Sequence, residues 1–233
     1  MSEIDAAVVV GAGHGLGAAL GRRFAEGGLR VALARRRAEE ARDLAEEIGG
    51  RAYACDATRA DSVAELFQQV ETDLGTPALV VYNAGAFQRA GILDIDPADF
   101  ERCWRIGCLG GLHVGQAAAG RMVAAGRGTL IFTGATASLR GGAGFANLAV
   151  PKFGLRALAQ SMARELGPKG VHVAHTIIDG QIAADRPGYR PAERGEDAVL
   201  APAAIAEAYW QLHRQPRSAW TFELDLRPWV ERF

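Results

Sequence analysis

Two clusters in this 233-residue chain combine residue types and spacings that suit chemistry. The first is Gly11-Ala12-Gly13-His14-Gly15-Leu16-Gly17, which follows an apolar run directly and opens a helical pattern. Glycines let backbone approach a pyrophosphate closely, and the N-terminus of the following helix attracts its charge. The common G-x-G-x-x-G spacing would need glycine at 16, where Leu16 stands. The spacing that works is Gly11, Gly15, Gly17, which makes this turn a candidate dinucleotide contact. Tight strand-to-helix turns also use glycine for structural reasons. Placement after the first strand of a βαβ unit favours the nucleotide reading. The second cluster is Arg35-Arg36-Arg37, at the end of the second apolar run. An acid there would hydrogen-bond the ribose of NAD. None is present, and arginines suit the 2′-phosphate of NADP through charge-assisted, often bidentate hydrogen bonds. Three positive charges at a helix start oppose its dipole, a local misfit that favours a functional role over a solvated one. The expectation is NADP(H) preferred over NAD(H), with Arg35 and Arg36 in contact and no acid competing.

These clusters need a scaffold, and the periodicity supplies one. Apolar runs at 6–10, 30–34, 51–54, 78–82, 129–132, 171–178 and 220–226 alternate with helical patterns near 16–27, 38–48, 60–73, 97–125, 151–166 and 202–214. Most runs are continuous rather than alternating, as parallel strands buried on both faces require. Phe153, Leu155, Leu158, Ala159, Met162 and Leu166 recur at helical spacing and define a core face. The alternation predicts an α/β fold, one doubly wound Rossmann-type domain over 1–233 with helices on both sides of a mostly parallel seven-stranded sheet. Residues 183–201, rich in Pro, Arg, Glu and Gly, read equally as a substrate lid or a solvated loop.

Bulk properties narrow the partners. A net charge of −1, 49% hydrophobic and 23% charged residues give no reason to expect nucleic acid or an anionic membrane. No apolar run approaches the roughly 20 residues that span a bilayer. The acidic start and three cysteines without metal-ligand spacing, Cys55, Cys103 and Cys108, suggest reduced thiols, no metal and a cytoplasmic protein.

The glycine spacing, together with Tyr82-Asn83-Ala84-Gly85 after the fourth strand, resembles the short-chain dehydrogenase/reductase family along essentially the whole chain. The resemblance implies strand order 3-2-1-4-5-6-7. It implies a phosphate turn at Gly11, Gly15 and Gly17, an adenine contact at Asp56 with Ala57 beside it, and a motif at Asn83, Ala84 and Gly85 that steadies the sheet beside the cofactor. His14 occupies a place where NADP-preferring relatives often carry a basic residue. The structural alternatives are that Asp56 caps the next helix and that Asn83 satisfies turn backbone.

The resemblance also implies four catalytic helpers: an asparagine, a serine and a Tyr-x-x-x-Lys pair on one helical face. The tyrosine donates a proton, and the lysine lowers its pKa and holds the nicotinamide ribose. Here Lys152 matches, Leu148 stands for the tyrosine, Ala135 for the serine and Gly107 for the asparagine. The family's Pro-Gly turn after strand six is replaced by Asp179-Gly180. The polar residues nearest the gaps are Thr136, Ser138, Asn147 and Asp179, with His113, His172 and His175 further off. Relatives form dimers and tetramers. The glycine-rich 97–125 helix and the apolar last strand suggest a homodimer or homotetramer. The expected function is an NADP(H)-binding oxidoreductase with an atypical active site and a small-molecule substrate. A non-catalytic sensor or assembly protein, and a lyase or isomerase using the same cleft, remain alternatives.

Overall fold

Every residue of β1 (Ala6–Val10) is buried, with Ala6, Val8 and Val10 on one face and Ala7 and Val9 on the other. A strand apolar on both faces needs cover on both. In the computed structural model, which describes residues 5–184, 195 and 197–231, that cover comes from two helical layers. One face packs against α3 (Ala60–Leu74), α5 (Gly110–Ala125) and α6 (Ala146–Leu166). The other packs against α1 (Leu16–Glu26), α2 (Arg42–Glu47) and α7 (Pro202–Arg214).

The sheet contains β1, β2 (Arg30–Arg35), β3 (Arg51–Ala54), β4 (Pro77–Tyr82), β5 (Gly128–Thr133), β6 (Val171–Ile178) and β7 (Glu223–Leu226). Its order is β3-β2-β1-β4-β5-β6-β7, with every pair parallel. The expected fold class and strand order are therefore observed. The order reverses between β1 and β4, so the chain leaves these neighbours in opposite directions and a crevice opens over their C-terminal ends.

The helix expected over 97–125 is instead three pieces. α4 (Pro97–Trp104) runs into a π-helical turn, Arg105–Leu109, before α5 begins. The Tyr82 hydroxyl donates to the Ile106 carbonyl and stands against Gly110, which holds the wide turn open. α6 starts five residues before its expected beginning, with Pro151 inside it. Pro151 has no N–H to give the Asn147 carbonyl, and its ring is accommodated against Gly107, where a Cβ would lie 2.7 Å from Pro151 Cβ. β7 is shorter than the expected 220–226: it begins at Glu223, after a 3₁₀ turn over Arg217–Ala219 and an irregular stretch at 220–222. The region expected as one helix over 38–48 divides into a 3₁₀ turn, Ala38–Ala41, and α2. Most of the 183–201 stretch lies outside the described residues. Its flanks meet in a parallel bridge between Ile182 and Leu200. No helix among the described residues is long and apolar enough to cross a membrane.

Candidate cofactor cleft and catalytic face

A cleft of about 650 Å³ opens over the C-terminal ends of β1 to β4. Val10, Gly11 and Gly13 form its floor at the β1 end. Gly11 adopts φ +93°, and a side chain there would strike the Ala84 amide at 2.5 Å. Only glycine lets the β1 and β4 exits lie this close. Gly13 and Gly15 face open space. Gly15 is the N-cap of α1, and no side chain caps that helix. The Ala18 amide donates back to the Gly13 and Gly15 carbonyls at 2.9 and 3.1 Å, which leaves the Leu16 and Gly17 amides at the helix start for an anion. Of the remaining turn residues, His14 is exposed and Gly17 is buried, while Leu16 is buried in the core. None of these three lines the cleft, and nor does Gly15.

Asn83, Ala84 and Gly85 line the middle of the cleft. The Asn83 amide Nδ2 donates to the Gly11 carbonyl at 3.0 Å, and its backbone N–H donates to Val10 at 2.8 Å. Asn83 therefore ties β4 to the glycine turn. Asp56 and Ala57 line the far wall. Asp56 Oδ1 accepts from the Thr58 amide (3.0 Å) and hydroxyl (2.7 Å), an arrangement that orders its own loop. Beside it, burial pushes the Cys55 thiol up to about 11.

Arg35, Arg36 and Arg37 all line the cleft, as does Glu40. The expectation that no acid competes for them is corrected. The 3₁₀ turn after β2 brings the Glu40 carboxylate back onto the guanidinium groups of both Arg35 and Arg37. Arg35 also donates to the Glu40 carbonyl at 3.3 Å. Arg36 is exposed in the cleft and has no hydrogen bond or ion pair among the described residues. Glu40 was detectable in principle, three residues after Arg37, but its reach back to Arg35 shows only in the folded chain.

At the β4–β6 side lies Lys152. It is buried, its Nζ donates to the Thr133 carbonyl at 2.6 Å, and desolvation lowers its pKa to about 8. A Cβ on Gly85 would lie 3.9 Å from that Nζ, so the lysine reaches the cleft's edge. Leu148 is half-buried one turn earlier on α6. Ala135 is extended, with its N–H donating to Ser138 Oγ at 3.1 Å. Neither offers a side-chain hydrogen bond.

The polar residues near these positions separate by role. Ser138 and His175 are fully buried, with Oγ 3.3 Å from Nε2. His175 Nδ1 lies 3.3 Å from Glu223 without hydrogen-bond alignment, and Glu223 is held by Arg156 at 2.6 and 2.8 Å. Burial drives His175 down to about 4, so the ring is neutral. This is an internal brace, closed to a substrate. His113 faces the Ala57 carbonyl, and His172 faces the Thr221 carbonyl while stacking on Trp220. Asn147 donates to the Gln88 carbonyl at 3.0 Å. Thr136 differs: it is half-buried, and its hydroxyl donates to the buried carboxylate of Asp179, 43 positions later in the chain. Arg227 stands 3.4 Å from the other Asp179 oxygen. The ends of β5 and β6 thus carry a hydroxyl–carboxylate pair next to Ala135. Each residue was visible in the sequence, but their pairing was not.

Residues 5–186 match the pattern of the family described as short chain dehydrogenase. A crystal structure of a short-chain dehydrogenase from Rhodopseudomonas palustris is 42% identical, with TM-score 0.83 over 97% of this chain and 99% of that one. A metagenomic short-chain oxidoreductase solved in complex with NADP is 29% identical, with TM-score 0.82 over 98% and 100%. A 3-oxoacyl-[acyl-carrier-protein] reductase of Bos taurus is 28% identical over 179 residues, 76% of this chain and 75% of the relative.

Proposed function

The chain belongs to the short-chain dehydrogenase family, and on that premise we propose that it is an NADP(H)-dependent oxidoreductase whose proton-handling groups have been replaced. The observation that carries the cofactor reading is Arg36, a guanidinium in the cleft with no partner among the described residues. A 2′-phosphate would supply that partner. The residues present fit the rest of a dinucleotide. The uncapped α1 N-terminus and the open space at Gly13 and Gly15 suit a pyrophosphate. Asp56 keeps an oxygen for adenine, and Lys152 is the ribose ligand. The NADP bound by the metagenomic relative supports this assignment. When bound, the cofactor supplies hydride chemistry.

The protein's own part in the reaction is proton movement. Leucine and alanine can neither protonate nor hold an alkoxide, so ordinary ketone reduction is weak. The Thr136 proton is committed to Asp179, and its lone pairs are left for a substrate O–H or N–H. As the substrate gives its proton to Thr136 Oγ, the Thr136 proton passes to the Asp179 carboxylate. The site therefore suits a small substrate that donates a hydrogen bond at the reacting centre. Val150 and Phe153 on α6 and Trp104 on α4 are exposed apolar side chains, 46%, 43% and 37% accessible. They support a homodimer or homotetramer built on these helices.

The test is NADPH-dependent reduction of a permissive diketone or quinone by the parent and by the double variant Ala135→Ser/Leu148→Tyr. Loss of general acid catalysis costs about 10²–10⁴-fold, so the parent should be slow and the variant faster. A parent working at about 1–10³ s⁻¹, the ordinary enzyme range, contradicts the reading. A parent that binds NADPH yet turns over no alcohol, amine or carbonyl substrate favours the non-catalytic alternative, which the side chains of Leu148 and Ala135 also suit.

A further inference from the structure

The two ion pairs of Glu40 carry a consequence for cofactor choice. Its carboxylate lines the cleft and engages Arg35 on one side and Arg37 on the other, while Arg36 between them has no partner among the described residues. We propose that Glu40 is a specificity-determining residue of the cleft that works against the 2′-phosphate and so moderates the discrimination between NADP(H) and NAD(H). The inference rests on the reading that the cleft holds a dinucleotide with its adenosine ribose at the end of β2.

A phosphomonoester carries about −1.5 to −2 charges at neutral pH. Entering beside Arg36, it meets Glu40 as a like charge at close range. It finds Arg35 and Arg37 already spending guanidinium donors on that carboxylate. Arg35 is the more tightly held of the two, since it also binds the Glu40 backbone carbonyl at 3.3 Å and is only 22% accessible, against 71% for Arg37. Its guanidinium cannot turn to a phosphate without leaving Glu40. An unphosphorylated ribose offers the opposite complement: its 2′-hydroxyl is a donor, and the Glu40 carboxylate is an acceptor. The other charges of the cleft are Asp56, Glu101, Arg102 and Arg105, with Glu101 held by Arg105 and Arg102 by Asp99; Glu39, next in sequence to Glu40, also acts on Arg35. Among the described residues none of these acids is ion-paired with an arginine of the cluster. Glu40 alone both neutralises two of the three guanidinium groups and stands in the cleft.

The prediction separates charge removal from loss of order. Glu40→Gln keeps the shape and the amide oxygen but removes the negative charge. Parent, Glu40→Gln and Arg36→Ala are titrated with NADPH and NADH by tryptophan fluorescence, then with 2′,5′-ADP and 5′-AMP, which carry the ribose end alone. In Glu40→Gln, NADPH and 2′,5′-ADP should bind about tenfold more tightly, as removal of one nearby like charge implies. NADH and 5′-AMP should bind equally or more weakly. Glu40→Ala should show the same direction, so the result does not depend on one replacement. Unchanged or weaker NADPH binding in both variants overturns the inference, because Glu40 would then be ordering the arginines for the phosphate. A parent that binds neither dinucleotide overturns the cofactor reading itself. A parent whose NADPH affinity is insensitive to Arg36→Ala shows that the phosphate does not sit at this corner, and overturns the inference along with the placement.

Discussion

Gly107 and Pro151 pack against each other so closely that a Cβ on Gly107 would lie 2.7 Å from the Pro151 Cβ and 3.3 Å from its Cγ. The π-helical turn and the proline-bearing helix therefore specify each other. Gly107→Asn, which would install the side chain expected of relatives at this place, should destabilise the fold by about 1–3 kcal/mol through overpacking. Pro151→Gly, which removes both contacting carbons, should recover part of the loss in the double variant, since contacting residues are not additive. Urea unfolding of the two single variants and the double variant checks this. Additive costs would show that the contact does not govern the site.

The scaffold was legible because its signals are strong and local. Continuous apolar strands such as Ala6–Val10 and a helix-opening glycine turn fix a parallel sheet and the place of a crevice. What escaped was set by tertiary contact. The Tyr82 hydroxyl opens the π-turn from a neighbouring strand, and Gly107 shelters a proline that local rules put at a helix start. Glu40 enters the cleft from a 3₁₀ turn and pairs with Arg35, which lies on the strand before it. Thr136 and Asp179 meet only because β5 and β6 are neighbours.

Lys152 titrates near 8, below its ordinary value, because it is desolvated. The unfolded chain holds this proton more tightly, so burying the charge weakens the fold at all pH below about 8. The penalty fades as pH rises from about 8 towards the unfolded value near 10.4. Lys152→Met should therefore be more stable than the parent at pH 7, by up to the order of 3 kcal/mol at 1.36 kcal/mol per unit. The difference should shrink by pH 10. The same variant should bind NADPH more weakly, because the ribose ligand is gone. Thermal melts across pH and a titration read both, and a variant that is less stable at pH 7 contradicts the desolvation argument.

His175 and His213 are both held near 4 by burial. The unfolded chain takes up these protons near 6.5, so native stability should fall as pH drops from about 6.5 towards 4. His175→Gln should flatten that slope at some cost in stability at pH 7, where the neutral ring braces Ser138. An unchanged slope in both His175→Gln and His213→Gln would assign the acid loss to carboxylates instead.

If Thr136 receives the substrate's proton, Thr136→Val should abolish turnover of any accepted substrate by about 10²–10⁴-fold while leaving NADPH affinity intact. Thr136→Ser should restore it. Asp179→Asn should shift the pH profile of kcat, a change that a purely structural tie between the β5 and β6 loops would not produce. Equal kcat in Thr136→Val and the parent removes Thr136 from the reaction.

The central claim is that this cleft takes a 2′-phosphorylated dinucleotide through Arg36. Calorimetric titration of the parent and Arg36→Ala with NADPH and NADH tests it most directly. The parent should bind NADPH more tightly, and Arg36→Ala should lose most of that preference, on the order of 1–3 kcal/mol for charged hydrogen bonds, with NADH affinity unchanged. Equal affinities for the two cofactors in the parent would contradict the account.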